Sequence, residues 1–193
     1  MTFILHATNA TRVIRLIGLF SFLFAMFWVG LPMMTSDQFW TILLLVAIGW
    51  FIFELIARRG NLNLKSLAFP FLVGISLLVM DLIINYVGLL WNLYTITPTR
   101  FTVLADPLQL PLIAFFGGSA WAMHIPEKFD PVYTSADVLI FGFFGTITER
   151  MLNINGIMDY VSVNWVNAFF TYAFVWLVLH LVYYGSKKLI THS

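Results

Sequence analysis

The 193-residue sequence contains no cysteine, and only 10% of its residues are charged. The absence of cysteine excludes disulfides, thiolate nucleophiles, iron–sulfur ligation and cysteine-based zinc sites. The low charge is unlike that of a soluble domain, in which about a quarter of the residues are charged. A net charge of +1 without any basic cluster gives no reason to expect a nucleic-acid partner. What remains is a chain that is 61% hydrophobic and rich in phenylalanine.

Long apolar stretches predict six transmembrane helices, at about 13–34, 39–57, 66–92, 108–125, 136–158 and 162–184. Most of these stretches are close to the roughly 20 residues that cross a hydrocarbon core of about 30 Å. Six such spans use nearly the whole chain. The sequence therefore predicts a single all-α polytopic domain over residues 1–193.

The basic residues predict the orientation of these spans, because Lys and Arg near span ends resist translocation. Eight of the ten lie in alternate gaps, and these are Arg12, Arg15, Arg58, Arg59, Lys65, Lys128, Lys187 and Lys188. Only Arg100 and Arg150 lie in the other gaps. This bias predicts a multi-pass protein of the cell membrane with both termini in the cytoplasm.

Two acids lie inside the predicted spans. Asp81 comes about 22 Å of helix after Ser66, and Glu149 comes about 18 Å after Asp137. Both therefore lie past the middle of the membrane, toward its outer side. A charge at such a depth costs roughly 2.5–3.5 kcal/mol on insertion scales. The default interpretation is a functional site, and the alternative is a structural carboxyl tied to an Arg, Asn or Tyr side chain.

The two acids share a local pattern with the spacing i, i+4, i+7, which places an acid, an amide and a glycine on one helix face. The two sets are Asp81, Asn85, Gly88 and Glu149, Asn153, Gly156. Their constant offset of 68 residues suggests a parallel repeat of helices 3–4 and 5–6, which the sequence alone leaves open. If the repeat is real, the two carboxyl–amide pairs flank a common cavity.

Arg100 and Arg150 are the basic residues on the outer side, so each is a candidate to neutralise one acid. The preferred pairing is Arg150 with Asp81. A paired acid stays ionised, whereas desolvation keeps an unpaired acid protonated and able to act as a general acid. The sequence thus assigns catalysis to two acids, Asp81 and Glu149. It assigns orienting or ion-pair roles to four other residues, which are Asn85, Asn153, Arg100 and Arg150.

His124 and His180 fall on the fourth and sixth spans near the inner surface. They could hold a haem or a pigment magnesium, although a hydrogen-bonded histidine at the boundary is more common. We therefore predict no metal and leave the cofactor unknown. Glu54 and Arg58 are four residues apart and are expected to form an anchoring ion pair.

The segment from Asp81 to Phe116 carries an acid in the third span, a following Gly and Trp, a loop with Pro and Arg, and a Pro-containing start of the next span. The residues concerned are Asp81, Gly88, Trp91, Thr97-Pro98-Thr99-Arg100, Leu110-Pro111-Leu112 and Phe115-Phe116. In these elements the segment resembles the membrane lycopene-cyclase-like domain of carotenoid biosynthesis. The paired glutamates of that family are absent, because Ile113 and Ala114 stand in their place.

The sequence therefore predicts a membrane protein that binds or acts on a polyisoprenoid or carotenoid-like lipid, with Trp91 and Tyr94 in contact with it. If the protein is catalytic, a protonated carboxyl donates to a double bond and a second carboxylate stabilises the cation, aided by aromatic rings. A different class is a non-catalytic subunit of a larger pigment or electron-transfer complex in the membrane. A third is a proton-coupled transporter that uses both acids as a relay.

Overall fold

The computed structural model describes residues 8–58, 64–104, 106–160 and 164–191. Within them lie six α-helices: α1 (Asn9–Gly30), α2 (Ser36–Arg58), α3 (Leu64–Leu90), α4 (Gln109–His124), α5 (Pro131–Ile154) and α6 (Trp165–Thr191). Each predicted span overlaps one helix, with ends displaced by one to seven residues.

Four helices, α1, α2, α3 and α6, are long and apolar enough to cross a membrane. Helix α4 has 16 residues, or about 24 Å, which is less than a hydrocarbon core of about 30 Å. Helix α5 has the length, but polar residues such as Asp137 and Glu149 interrupt its apolar sequence. These properties are those of a helical membrane protein. Of the basic residues that predict the orientation, Arg59 and the side chains of Lys65, Lys187 and Lys188 lie outside the described residues.

Two helix starts show why the chain enters a helix where it does. At α2, Thr35 and Gln38 form a reciprocal capping box, with the Gln38 backbone N–H on Thr35 Oγ1 at 3.3 Å and the Thr35 N–H on Gln38 Oε1 at 2.9 Å. At α5, Asp130 accepts the backbone N–H of Val132 and Tyr133. The hydrogen bond from the Tyr133 N–H lowers the pKa of Asp130, and the hydrogen bond from the Asn9 side chain lowers it to a smaller extent.

The chain forms two compact units. Unit 1 comprises Met1–Pro32, Pro126–Asn155 and Val163–Ser193, and it contains α1, α5 and α6. Unit 2 comprises Met33–Ile125 and Gly156–Ser162, and it contains α2, α3 and α4. In unit 1, α1 and α6 pack on α5; in unit 2, α2 and α3 pack on α4. The single polytopic domain proposed from the sequence stays a prediction.

Helix α4 is the centre of unit 2, since all its residues from Gly118 to His124 are buried. Helix α3 approaches it closely through glycine: a Cβ added at Gly74 would collide with Ser119, and one added at Gly118 would collide with Leu77. On the other side, the Phe51 ring of α2 packs against Phe116 of α4, with ring centroids 5.6 Å apart. These contacts define the faces of α4 that pack against α3 and α2.

Two short antiparallel ladders lie in unit 2 beyond the end of α3. Strand β1 (Tyr94–Ile96) pairs with β4 (Met158–Tyr160), and β2 (Thr102–Val103) pairs with β3 (Asp106–Pro107). Thr97 extends the first ladder through its N–H to the Ile157 carbonyl at 2.9 Å. We call residues 94–104, 106–107 and 156–160 the β cap. The β cap supplies side chains to the site described next.

Candidate functional site

Asp81 of α3 lies near a second acid, Asp106, which the sequence analysis did not select. Asp106 is only 1% exposed, and neither of its carboxyl oxygens has a hydrogen-bond partner among the described residues. One oxygen of Asp81, Oδ2, is also buried without a partner there. The charge of Asp81 acts directly on Asp106. A buried carboxyl next to a partly buried one forms the arrangement in which one is ionised and the other holds a proton.

The protonation of Asp106 follows from this environment. Burial, and after it the negative charge of Asp81, raise the pKa of Asp106 from its usual 3.8 to about 7. The Asn85 side chain opposes both effects. Asp106 therefore keeps its proton up to about pH 7, as a general acid that works near neutral pH requires.

Asn85 lies beside both carboxyls and is itself oriented by Tyr94 of the β cap. The Tyr94 hydroxyl donates to Asn85 Oδ1 at 2.6 Å. Because the amide oxygen accepts this bond, the amide nitrogen is the group left to face Asp81 and Asp106. The predicted i, i+4 placement of Asn85 next to Asp81 is thus what the structure shows.

The Tyr94 ring has room only because residue 88 is glycine. A Cβ at Gly88 would lie 2.5 Å from the ring, inside any real van der Waals contact. Tyr94 is 8% exposed, so the ring has little space into which to retreat. Gly88, the third member of the predicted triad, therefore serves to seat Tyr94 over Asn85.

We expect Gly88→Ala to lower the free energy of unfolding by about 1–3 kcal/mol, the usual cost of overpacking. The matched control is Gly49→Ala on α2, where a Cβ would meet nothing within 4 Å. That control is expected to be neutral or stabilising by about 0.5–1 kcal/mol, because alanine favours the helix. Equilibrium unfolding of both variants in mixed micelles makes the comparison, and equal stability of the two would contradict the seating of Tyr94.

A pH dependence of stability also follows from Asp106. Its pKa is higher in the folded chain, so the folded state binds more protons than the unfolded state between about pH 4 and 7. Stability from this group is complete below about pH 4 and is lost as the pH rises through about 7. We expect the Tm of the wild type, relative to that of Asp106→Asn, to fall over this interval and then level off. Thermal unfolding across the pH range, with Glu127→Gln as control, measures it; a flat difference would contradict the assignment.

Glu149 lies in unit 1 and has a tyrosine partner. The Tyr172 hydroxyl of α6 donates to Glu149 Oε1 at 2.7 Å. The Tyr172 ring lies against Gly145, where an added Cβ would come within 2.9 Å of it. Asn153 follows one turn later on α5 and is half-buried, and Arg150 is exposed. A common cavity for Asp81 and Glu149, and the pairing of Arg150 with Asp81, stay predictions.

The remaining predicted site residues of unit 2 lie at the surface of the unit. Arg100 is exposed, and its backbone N–H donates to the Asp37 carboxylate at 3.1 Å. Trp91, at the end of α3, is 68% exposed. Of the two residues predicted to contact a substrate, Tyr94 therefore belongs to the Asp81–Asp106 site through Asn85, whereas Trp91 projects from the unit.

Both histidines pair with a carboxylate inside their own unit. His124 Nδ1 lies 2.7 Å from Glu54 Oε1, and His180 Nε2 lies 2.8 Å from Asp137 Oδ2. All four side chains are buried. In the described ranges no group of three His, Cys, Asp or Glu side chains could hold a metal. Ligation of a haem or pigment by these histidines stays untested.

The predicted ion pair between Glu54 and Arg58 is wrong. Glu54 turns into unit 2, where it contacts His124 and accepts the Trp50 indole N–H at 3.3 Å. Arg58 instead donates to the Met123 carbonyl near the end of α4. The i, i+4 spacing permits a surface pair, but a buried histidine partner and an unsatisfied helix-end carbonyl compete for the two side chains.

Comparison with protein-family models, curated proteins and solved structures finds no match. The resemblance to the lycopene-cyclase-like domain is therefore supported only by the residues of the segment from Asp81 to Phe116. Function has to be argued from the chemistry of the site.

Proposed function

We propose that the protein crosses the cell membrane six times, with both termini in the cytoplasm, and binds a polyisoprenoid or carotenoid-like lipid beside Asp81 and Asp106. The bias of eight basic residues against two supports this orientation. It puts the end of unit 2 at which α2 and α4 begin on the outer side. The observation that carries the proposal is the Asp106 carboxyl, which is buried next to Asp81 and has no hydrogen-bond partner for either oxygen among the residues that the structure describes.

The chemistry that such a pair supports is acid-initiated isomerisation or cyclisation. The protonated carboxyl transfers its proton to one carbon of a double bond, which leaves a carboxylate on the protein and a cation on the neighbouring carbon. The second carboxylate stabilises that cation. A carboxylate then removes a proton from an adjacent carbon, so a new double bond forms and the pair recovers its proton. When another double bond attacks the cation first, the same loss of a proton completes a ring.

The pair has the features that this cycle requires. One member must be protonated near neutral pH, and burial beside a like charge provides that for Asp106. The other must be held in place, and Asn85, which is oriented by the Tyr94 hydroxyl, lies beside Asp81. The proposal therefore gives the role of second carboxyl to Asp106. A contribution of Glu149 stays a separate prediction, because its carboxyl belongs to unit 1 and accepts from Tyr172.

The first test is gentle purification from native membranes, followed by an absorption spectrum and mass spectrometry of bound lipids and proteins. A bound polyene or other isoprenoid, without partner proteins, is the expected result. Stoichiometric partner proteins that carry all of the pigment would instead support the alternative of a non-catalytic subunit. In that case Asp81→Asn should lower the yield of the complex.

A further inference from the structure

Besides the two acids, the polar atoms that unit 2 buries without a hydrogen-bond partner among the described residues include a donor on α2 and an acceptor on α4. Trp40 of α2 is 4% exposed, and its Nε1–H has no hydrogen-bond partner within the described part of the chain. Gln109, the first residue of α4, has a buried Oε1 that also lacks a hydrogen-bond partner among the described residues. An unsatisfied buried polar atom usually costs about 1–3 kcal/mol, so a group that satisfies these atoms would bind favourably.

Trp40 points toward α4. The buried residues Trp40, Ala47 and Glu54 are spaced by seven, or two turns, and therefore share one face of α2. Glu54 on that face contacts His124 of α4. Since Phe51 also packs on Phe116, earlier on α4, the two helices run in the same direction.

The rise per residue of the two helices places Trp40 and Gln109 at similar heights along the axes of α2 and α4. Trp40 precedes Glu54 by 14 residues, about 21 Å, and Gln109 precedes His124 by 15 residues, about 22 Å. Counted from the contact between Glu54 and His124, the indole N–H and the amide oxygen lie at nearly the same height, and counted from the contact between Phe51 and Phe116 they lie within about 6 Å of each other. Gln109 is also seven residues before Phe116, which places it on the α4 face toward α2.

Helix α3 brings its polar residues to the same height from the other side. Leu77 packs against Gly118 of α4, whereas Asp81, later on α3, lies near Asp106, which precedes α4, so α3 runs antiparallel to α4. Asn85 lies eight residues past Leu77, about 12 Å, and Gln109 lies nine residues before Gly118, about 13 Å. Asp81 is one turn deeper, and Asp106 is beside Asp81 and Asn85. We call this set the polar cluster: Trp40, Asp81, Asn85, Tyr94, Asp106 and Gln109.

We propose that the polar cluster binds the hydroxyl group of an isoprenoid alcohol. A hydroxyl has one donor and two acceptor lone pairs, so it can donate to a carboxylate or to Gln109 Oε1 and accept from Trp40 Nε1. A hydrocarbon would leave all of these atoms unsatisfied. This inference rests on the proposed function, because it names the class of lipid that the same site takes and anchors its polar end beside Asp81.

The experiment compares three ligands of one chain length on the purified full-length protein in lipid nanodiscs: geranylgeraniol, its methyl ether and the corresponding hydrocarbon. Competition against tritiated geranylgeraniol gives the relative affinities. We expect the alcohol to bind about tenfold more tightly than the hydrocarbon, the effect of one hydrogen bond to a charged group. The ether retains the acceptor alone, and we expect it to fall between the two.

Trp40→Phe and Asp106→Asn are expected each to reduce the preference for the alcohol several-fold without changing hydrocarbon binding. Glu127→Gln, at an exposed acid, should match the wild type. Two different variants and a check for a monodisperse elution peak separate lost binding from misfolding. Equal affinity for the three ligands would mean that water alone occupies the cluster, and a preference that survives both substitutions would place the hydroxyl elsewhere; either overturns the inference.

The experiment also separates this inference from the proposed chemistry. A preference for the alcohol without any proton transfer to a double bond supports the binding site and removes the catalytic role. Proton transfer without a preference for the alcohol leaves the catalytic proposal standing and overturns the hydroxyl site.

Discussion

Asp106→Asn and Asp81→Asn are each expected to lower the rate of deuterium transfer from heavy water to an acyclic polyene such as lycopene by a factor of about 10²–10⁴. That range is what a positioned general acid contributes. Asparagine keeps the size of the side chain but has no transferable proton. Mass spectrometry of the polyene after incubation with purified protein measures the incorporation of deuterium.

The control for this experiment is Glu127→Gln, which removes an exposed acid outside the polar cluster and should leave the rate unchanged. Accumulation of each variant at the wild-type level shows that the loss is chemical. Glu149→Gln, measured in parallel, tests the acid predicted from the sequence in unit 1. Transfer at the wild-type rate in Asp106→Asn would remove Asp106 from the mechanism.

His124→Leu is expected to lower the free energy of unfolding by about 3–5 kcal/mol, because it leaves the buried Glu54 carboxyl group without its main partner. Glu54 and His124 are 5% and 3% exposed, and their side chains are 2.7 Å apart. The remaining contact of Glu54 is the Trp50 indole N–H at 3.3 Å. Unfolding with increasing SDS in mixed micelles measures the change.

The double variant Glu54→Leu/His124→Leu is the control for this pair. Replacing both members of a buried polar pair by apolar residues is often neutral or stabilising, so the double variant should recover most of the loss. If its destabilisation instead equals the sum of the two single variants, the side chains do not interact energetically. The same cycle applied to Asp137 and His180 tests the corresponding pair of unit 1.

The sequence predicted the helices well because long apolar runs are local signals, and the predicted spans overlap all six α-helices. The Thr35–Gln38 capping box and the Asp130 cap, which the prediction did not use, lie at the starts of α2 and α5. The division into units depends on which helices pack together. Helices α1 and α5 are far apart in the chain, and no local pattern marks their contact.

The candidate site could be predicted only in its helical part. The spacing of Asp81, Asn85 and Gly88 places them on one face of α3, and in the structure Tyr94 packs against this face at Asn85 and Gly88. Asp106 was missed because it lies in a two-residue strand that pairs with Thr102 and Val103 and contacts α3, where it is buried. The available signal was an acid followed by proline directly before a helix, but such a residue is ordinarily exposed.

The polar partners of the acids also depend on the fold. Tyr94 reaches Asn85 because β1 pairs with β4, a segment more than 60 residues later in the chain. Similarly, Tyr172 reaches Glu149 because α6, which carries the tyrosine, packs against α5, which carries the acid. Periodicity identifies the face on which an acid lies, whereas its partner is set by the packing of a second element.

The most direct test of the central claim is an infrared titration of the carboxyl groups in the wild type, Asp81→Asn and Asp106→Asn. We predict that the wild type shows a protonated carboxyl that titrates near pH 7, that Asp106→Asn lacks this band, and that Asp81→Asn titrates at a lower pH because the neighbouring charge is gone. A wild-type spectrum in which Asp106 is fully ionised at neutral pH would contradict a carboxyl pair that stores a proton.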